Sequence, residues 1–436
     1  MKKSVAVLVG IMPIVAFVGL AVLAVPKTDA LQVVTVGQNP FDIAVDSLAG
    51  HVFAVNTKQG NSPSTVSVLG ATDGSLWRTV PVGVSAHGIV VDDLLGRAFV
   101  ANDADAQTHA QNSVSVIDTR NGQEQRRVAL SASLATMTVD RTVGRVFLGL
   151  YNGRVQVLNA ANGRLIGAIA IGFTPRASVV DERRGHALFV GSGRTGIGHL
   201  AVLDTHSGRT LWKAMVGLAP SVVAIDIRQG HVFVGSAGRG LGACASPGGY
   251  CLFGSISMLD ARNGRVLRMI NVGPNPVSIV TDEQTQRVFV VSAGNNQSDV
   301  GTVSVLDART GVILRTTVVG YQPGGAAVDV RRAHVYVANG NSGTVSVLDA
   351  RTGWPLGTFR VTAGPVGIAV DDRTDRVFVS SNDVSGGIAE THQASSGSGS
   401  MLDQIGFLGG EVSNESRLLR KGQTGTVSVF DAQKVP

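Results

Sequence analysis

Residues 334–353 read HVYVANGNSGTVSVLDARTG. Alternating apolar and small or polar residues fill 334–339 and 344–349, the period-two pattern of a half-buried strand. Gly, Asn and Ser separate the two runs, and Asp-Ala-Arg-Thr-Gly ends the second, which is turn chemistry. The same sentence recurs along the chain. RAFVAN at 97–102 is followed by NSVSVIDTRNG at 112–122, HVFVGS at 231–236 by GSISMLDARNG at 254–264, and RVFVVS at 287–292 by GTVSVLDARTG at 301–311.

Two landmarks measure the repeat. An Asp ends a short apolar run at Asp46, Asp92, Asp140, Asp181, Asp226, Asp282, Asp329 and Asp371, with spacings of 46, 48, 41, 45, 56, 47 and 42. The Gly that closes the C–D turn, DxxxG in most units, falls at Gly74, Gly122, Gly163, Gly208, Gly264, Gly311 and Gly353, with spacings of 48, 41, 45, 56, 47 and 42. The two series keep step, so each unit is one structural module. It holds four strands: A (the IAVD type), B (HVFAVN), C (TVSVLDA) and D (VLRMINVG). Four strands in a period of forty-odd residues predict an all-β chain folded as a β-propeller. The count gives eight four-stranded blades, with seven as the alternative if one unit is degenerate. The last unit, TGTVSVFDAQKVP, lacks a D strand, whereas LQVVTVG at 31–37 is a D-like strand with no unit before it. The N-terminal strand is therefore expected to complete the last blade, pairing near Val427–Phe430 and removing an open sheet edge. A ring closed in this way is expected to be monomeric.

The stretch VYVANGNSGTVSVLDARTG resembles the repeat of the YVTN family of β-propellers, found in many exported microbial proteins. The likeness runs over essentially all of 31–436. It implies a propeller with a ligand or partner surface at one mouth. Relatives with similar blades include cofactor-using dehydrogenase subunits, lactonase-like enzymes and binding proteins, so the fold does not choose the function.

The remainder of the chain narrows the setting. Lys2 and Lys3 precede an apolar run from Ser4 to Val25, the pattern of an export signal. Ala30, with Thr28 two residues before it, offers a cleavage site, which would make 1–30 a signal peptide. The run is also long enough for a membrane anchor, although Pro13 interrupts it. Either way residues 31–436 are expected outside the cytoplasm, in the periplasm, at the cell surface or secreted. The membrane would be touched only through that N-terminal segment, if it is uncleaved. Cys244 and Cys251, in CASPGGYC, are the chain's two cysteines, and in an exported protein they predict a local disulfide. Closing so short a loop is worth roughly 2.5 kcal/mol in the chain-entropy model. The net charge is +6, with 37 Lys and Arg against 31 Asp and Glu, and no basic block tracks a phosphate backbone. Nucleic acid is not the expected partner.

Antiparallel pairing puts the A–B and C–D turns on one face of the propeller and the B–C and D–A loops on the other. The A–B and C–D turns are short and repetitive, so their Asp and Arg are expected to cap turns and pair on the surface. His51, His186, His231 and His334 begin B strands where Arg97, Arg145, Arg287 and Arg376 stand in other blades. His206 occupies a C–D turn. These are repeat positions. Length variation collects in the B–C loops: NTKQGNSPS at 56–64, NDADAQTHAQNS at 102–113, the Cys-bearing loop at 235–255, and an insertion of the last blade at about 381–426. Long loops on a rigid scaffold are where binding residues concentrate. A short helix near Glu415–Lys421 is the most regular structure the insertion is expected to hold.

His87, His109, His199 and His392 all fall on the B–C/D–A face. His87 and His109 belong to blade 2 and His392 to blade 8, on either side of blade 1, whose A strand begins with Asp42. Asp103 and Asp105 neighbour His109; Asp383 and Glu390 neighbour His392. The candidate ligand site is therefore Asp42, His87, Asp103, Asp105, His109, Asp383, Glu390 and His392, with no catalytic residue assigned. Carboxylates and imidazoles gathered there suit a small polar ligand, a protein partner or a divalent metal. The metal's identity stays open, and the alternative that these loop residues never meet stays open beside it.

Other motifs fail. GSGRTG at 191–196 matches GxGxxG but precedes a strand, HLAVLD, so it lacks the helix N-terminus a dinucleotide needs. HExxH, CxxCH, GxSxG and GKS/GKT are absent from the sequence. Trp77, Trp212 and Trp354 fall on or beside D strands, as packing residues. Two functions remain: an exported binding or scaffold protein that uses its loop-rich face, or a periplasmic enzyme or redox subunit with a metal or quinone-type cofactor over the central channel. The missing catalytic motifs favour the first.

Overall fold

A computed structural model describes residues 32–58, 62–104, 110–237, 253–295, 299–382 and 424–434. Thirty-two strands lie in these residues and form eight antiparallel four-stranded sheets. The seven-blade alternative is thereby set aside. Blade 1 is β2 (Pro40–Asp46), β3 (His51–Asn56), β4 (Thr65–Gly70) and β5 (Leu76–Pro81), paired in that order. These are strands A to D of the repeat, and blades 2 to 7 follow the same order. Each A strand packs beside the A strands of both neighbouring blades, and that of blade 8 packs beside that of blade 1. The eight A strands thus make a closed inner ring.

Blade 8 joins both ends of the described chain. Its A, B and C strands are β30 (Pro365–Asp371), β31 (Arg376–Ser381) and β32 (Thr426–Asp431), and its fourth is β1 (Gln32–Thr35). The pairing of β1 runs from Gln32 opposite Val429 to Thr35 opposite Thr426. Beyond it, Val36 N–H donates to Gly425 O at 2.9 Å and Gly425 N–H to Gly37 O at 2.8 Å. The expected closure is therefore the one observed, and it covers an edge that would otherwise recruit another strand.

The core lies between blades rather than within one. The third residue of each B strand is a fully buried aromatic (Phe53, Phe99, Phe147, Phe233, Phe289, Tyr336, Phe378) except in blade 4, where Leu188 takes the place and Phe189 follows. Around Phe53, Val55, Val66 and Val68 of blade 1 pack Ala86, Ile89, Ala98, Val100 and Ile117 of blade 2. Small and β-branched residues let twisted sheets approach face to face, and each buried Val or Phe contributes about 1.5–3 kcal/mol.

The conserved-looking punctuation of the repeat has direct causes. Each Asp that ends an A strand is buried, and one carboxylate oxygen caps the A–B turn, as Asp46 does with Ala49 N–H at 2.8 Å and Asp226 with Gln229 N–H at 2.8 Å. The DxxxG glycines hold positive φ, 68° at Gly74 and 72° at Gly353, where a side chain would be strained. At four junctions the His or Arg that starts a B strand reaches the next blade's C–D turn. With its proton on Nδ1, His51 donates to Thr119 O at 2.7 Å, and His231 to Ala308 O at 2.9 Å. Arg145 and Arg287 do the same to Thr205 O and Arg351 O, at 2.9 and 3.2 Å. His and Arg interchange there because either can donate an N–H to a neighbour's carbonyl. The tryptophans also pack. Trp77 stacks on His51 at 4.4 Å, and the Arg315 guanidinium lies 3.6 Å from the Trp354 ring centroid.

The N-terminal segment 1–30, the cysteines Cys244 and Cys251, and the insertion at about 381–426 apart from Ser381, Asn382 and 424–426 lie outside the described residues. No helix among the described residues is long and apolar enough to cross a membrane.

Candidate functional site

Every A strand begins with a register shift against its B strand, between Pro40 and Asp42 in blade 1 and between Ala86 and Gly88 in blade 2, and likewise in the other six. A bulge at a strand start re-aims the side chains there and commonly adjoins a site. The bulge positions occupy the B–C/D–A face of the inner ring. At the bulged residue and the one after it most blades carry Gly, Ala, Ser, Thr or Val; the charged or titratable exceptions are Asp42, His87 and Arg176.

Asp42 braces two blades. Its Oδ1 accepts from its neighbour Ile43 N–H at 2.9 Å, and its Oδ2 accepts from Ile89 N–H of blade 2 at 3.0 Å. Burial raises its carboxyl to about 6, against the opposing pull of these two amides and of His87.

His87 sits half-buried between two blades. Its Nδ1 lies 3.3 Å from Ser85 O and 3.6 Å from Asp103 Oδ2, and its Nε2 lies 3.3 Å from Leu134 O of blade 3. Asp103 is the first residue of the B–C loop in blade 2. Burial raises its pKa, opposed by His87 and by the Leu134 amide. Its Oδ1 is enclosed and has no hydrogen-bond partner. Thus the structure brings Asp42, His87 and Asp103 together in one sector. Asp105, His109, Asp383, Glu390 and His392 lie outside the described residues. His199 is used in packing, stacked on Phe173 at 5.5 Å.

Two residues extend the sector and were not singled out from the sequence. Tyr151, in the short B–C loop of blade 3, has a buried hydroxyl without a partner, and burial raises its pKa. The Arg176 guanidinium of blade 4 lies 5.9 Å from its ring centroid. Arg176 was legible only by aligning the eight A strands on their terminal Asp, which shows it as the lone arginine at a bulge. Tyr151 carries no such signal. Among the described residues, no three His, Cys, Asp or Glu side chains are grouped to hold a metal ion. What the sector offers is a row of hydrogen-bonding groups of both signs: Asp42, His87 and Arg176 at A-strand starts, and Asp103 and Tyr151 in the B–C loops that follow B strands.

No protein-family model matches the chain, and no curated protein matches it. Solved structures do. The computationally designed Ika8 protein superposes with a TM-score of 0.59 at 16% identity, covering 79% of this chain and 94% of the other. BamB from Moraxella catarrhalis gives 0.57 at 16% identity, over 81% and 96%. The Kuenenia stuttgartiensis hydrazine synthase gives 0.52 at 14% identity, over 82% and 96%. At these identities the likeness is one of fold. The specific YVTN family stays a sequence resemblance.

Proposed function

We propose that this is an exported binding protein whose loop-rich face, at the sector made by blades 1 to 4, holds a protein partner or a small polar ligand. The observation that carries the reading is the departure from the repeat. Blades are near-copies, yet at one sector of one face the repeat gives way to Asp42, His87, Asp103, Tyr151 and Arg176. Enclosed groups without partners, Asp103 Oδ1 and Tyr151 Oη, are acceptor and donor available to a ligand. Export is supported by Lys2 and Lys3 ahead of the apolar run 4–25. Polar groups of opposite sign on a rigid frame orient what binds and give specificity.

The test compares three forms of the full chain as bait in quantitative affinity capture from the native host: wild type, the double variant His87→Gln with Asp103→Asn, and His51→Arg on the opposite face. The reading expects a component retained by wild type and His51→Arg but lost by the double variant, with melting temperatures unchanged. Equal retention by all three would remove this sector from the function.

A further inference from the structure

On the opposite face, the junction between blades 6 and 7 differs from its counterparts. Every junction sets the residue that starts one blade's B strand beside the C–D turn of the next. Four of the starters are His. Of the four Arg starters, Arg97, Arg145 and Arg376 stand across from Ala161, His206 and Thr72 at the second turn position, whereas Arg287 stands across from Arg351. The doubled arginine occurs at this junction alone in the repeat. A cleft of about 380 Å³ opens there, lined by Gln284, Thr285, Arg287, Ala333 and Arg351.

The two guanidiniums are not neutralised alike. Arg287 donates through Nε to Arg351 O at 3.2 Å and through Nη1 to Gln286 O at 3.1 Å, and its Nη1 stands 3.6 Å from Asp307 Oδ2. Arg351 is exposed, and among the described residues no side chain pairs with its guanidinium. Two cations therefore line the cleft, and the carboxylates that act on them, Asp307 on Arg287 and Asp349 on Arg351, are not part of its lining. The Thr285 hydroxyl is also enclosed at the cleft without a hydrogen-bond partner. Forked guanidinium donors beside a free hydroxyl match an oxyanion, which takes several N–H and O–H donors at once.

We propose that this cleft is an anion-binding site for a small oxyanion group, the phosphate, sulfate or carboxylate of a metabolite or of an acidic side chain. Thr285 and Arg351 meet it from two blades, so occupancy would also tie blade 6 to blade 7. The site is independent of the loop-rich face and stands or falls without it.

Inorganic phosphate and acetate are titrated separately into the full-length protein by calorimetry, at ionic strength held constant with chloride. Saturable binding of at least one is expected, weakened tenfold or more by Arg351→Gln. Arg287→His provides the second variant. It installs the residue that four other blades carry at that position, so the fold accommodates it, and it too should weaken binding tenfold. Arg309→Gln, at the neighbouring junction across from His231, should leave binding unchanged. Phosphate binding alone assigns a tetrahedral oxyanion, and binding of both extends the class to carboxylates. Absence of saturable binding above the chloride background, or equal binding by Arg351→Gln, would overturn the proposal.

Discussion

Replacing Asp42 with Asn isolates the cost of a partly buried charge in the inner ring. Burial pushes the carboxyl up to about 6 in the folded chain, against 3.8 for a free aspartate. That difference of about 2 pH units corresponds to at most about 3 kcal/mol, at 1.36 kcal/mol per unit. The sign follows from proton binding. Between about pH 3.8 and 6 the folded chain holds a proton on Asp42 that the unfolded chain releases, so this group's contribution to stability falls as pH rises through that window. Below the window both states are protonated, and above it both are ionised. Asn removes the titration. Its amide oxygen can replace one acceptor, toward Ile43 or Ile89, and the other amide then faces an NH2 group, for a pH-independent loss of about 1–3 kcal/mol. Urea unfolding of wild type and Asp42→Asn at about pH 4, 5, 6 and 7 measures the difference. Asp92, Asp103 and Asp372 are also raised by burial, but they are present in both proteins and cancel. Wild type should lose up to about 3 kcal/mol relative to the variant between pH 4 and 7. A difference that stays flat, or that grows in favour of wild type with rising pH, would refute the burial argument. Repeating the series with His87→Gln in both proteins removes the neighbouring imidazole as a source of the slope.

Three further outcomes test the frame. Deleting residues 32–36 strips β32 of its partner and uncovers the core that Val36 covers, a loss on the order of 3 kcal/mol; scanning calorimetry and sedimentation should show a lower melting temperature or edge-to-edge association. Gly191→Ala places a Cβ 1.9 Å from Thr174 O and should cost at least about 3 kcal/mol, whereas Gly167→Ala meets nothing within 4 Å and should be near neutral in the same denaturation assay. His51→Ala forfeits the bond to Thr119 O and the stack on Trp77, about 1–2 kcal/mol, while His51→Arg should stay within about 0.5 kcal/mol of wild type, because Arg97, Arg145, Arg287 and Arg376 already serve in that register.

The architecture was legible because a propeller writes its geometry locally. Asp46 and its seven counterparts fix the A–B turn, the DxxxG glycines fix the C–D turn, and an orphan D strand at 31–37 opposite a missing one fixes the closure. The same regularity identified His51 and His231 as frame residues before their inter-blade bonds were known. The site was legible only in part. Asp42, His87 and Asp103 stood out as polar residues at strand starts and loop mouths, and they do converge. What no spacing could give is that both Asp42 oxygens are already engaged by backbone amides, because this depends on how Ile89 of the next blade approaches. Arg176 required aligning all eight A strands, and Tyr151 lies in a loop whose length hides its position. The blade 6–7 cleft depends on two arginines 64 residues apart in sequence, and becomes visible only when Arg287 is known to reach Arg351.

Site-specific photo-crosslinking in living cells of the native host tests the central claim, that the B–C/D–A face of blades 1 to 4 is where this propeller meets its partner. A benzophenone amino acid is placed at exposed Lys58 or Ala104 on that face, and at exposed Asn162 or Asn263 in C–D turns on the other. The account predicts a discrete adduct from Lys58 and Ala104 that His87→Gln with Asp103→Asn abolishes, and none shared with Asn162 or Asn263. An adduct formed from the C–D turns and absent from Lys58 and Ala104 would contradict it.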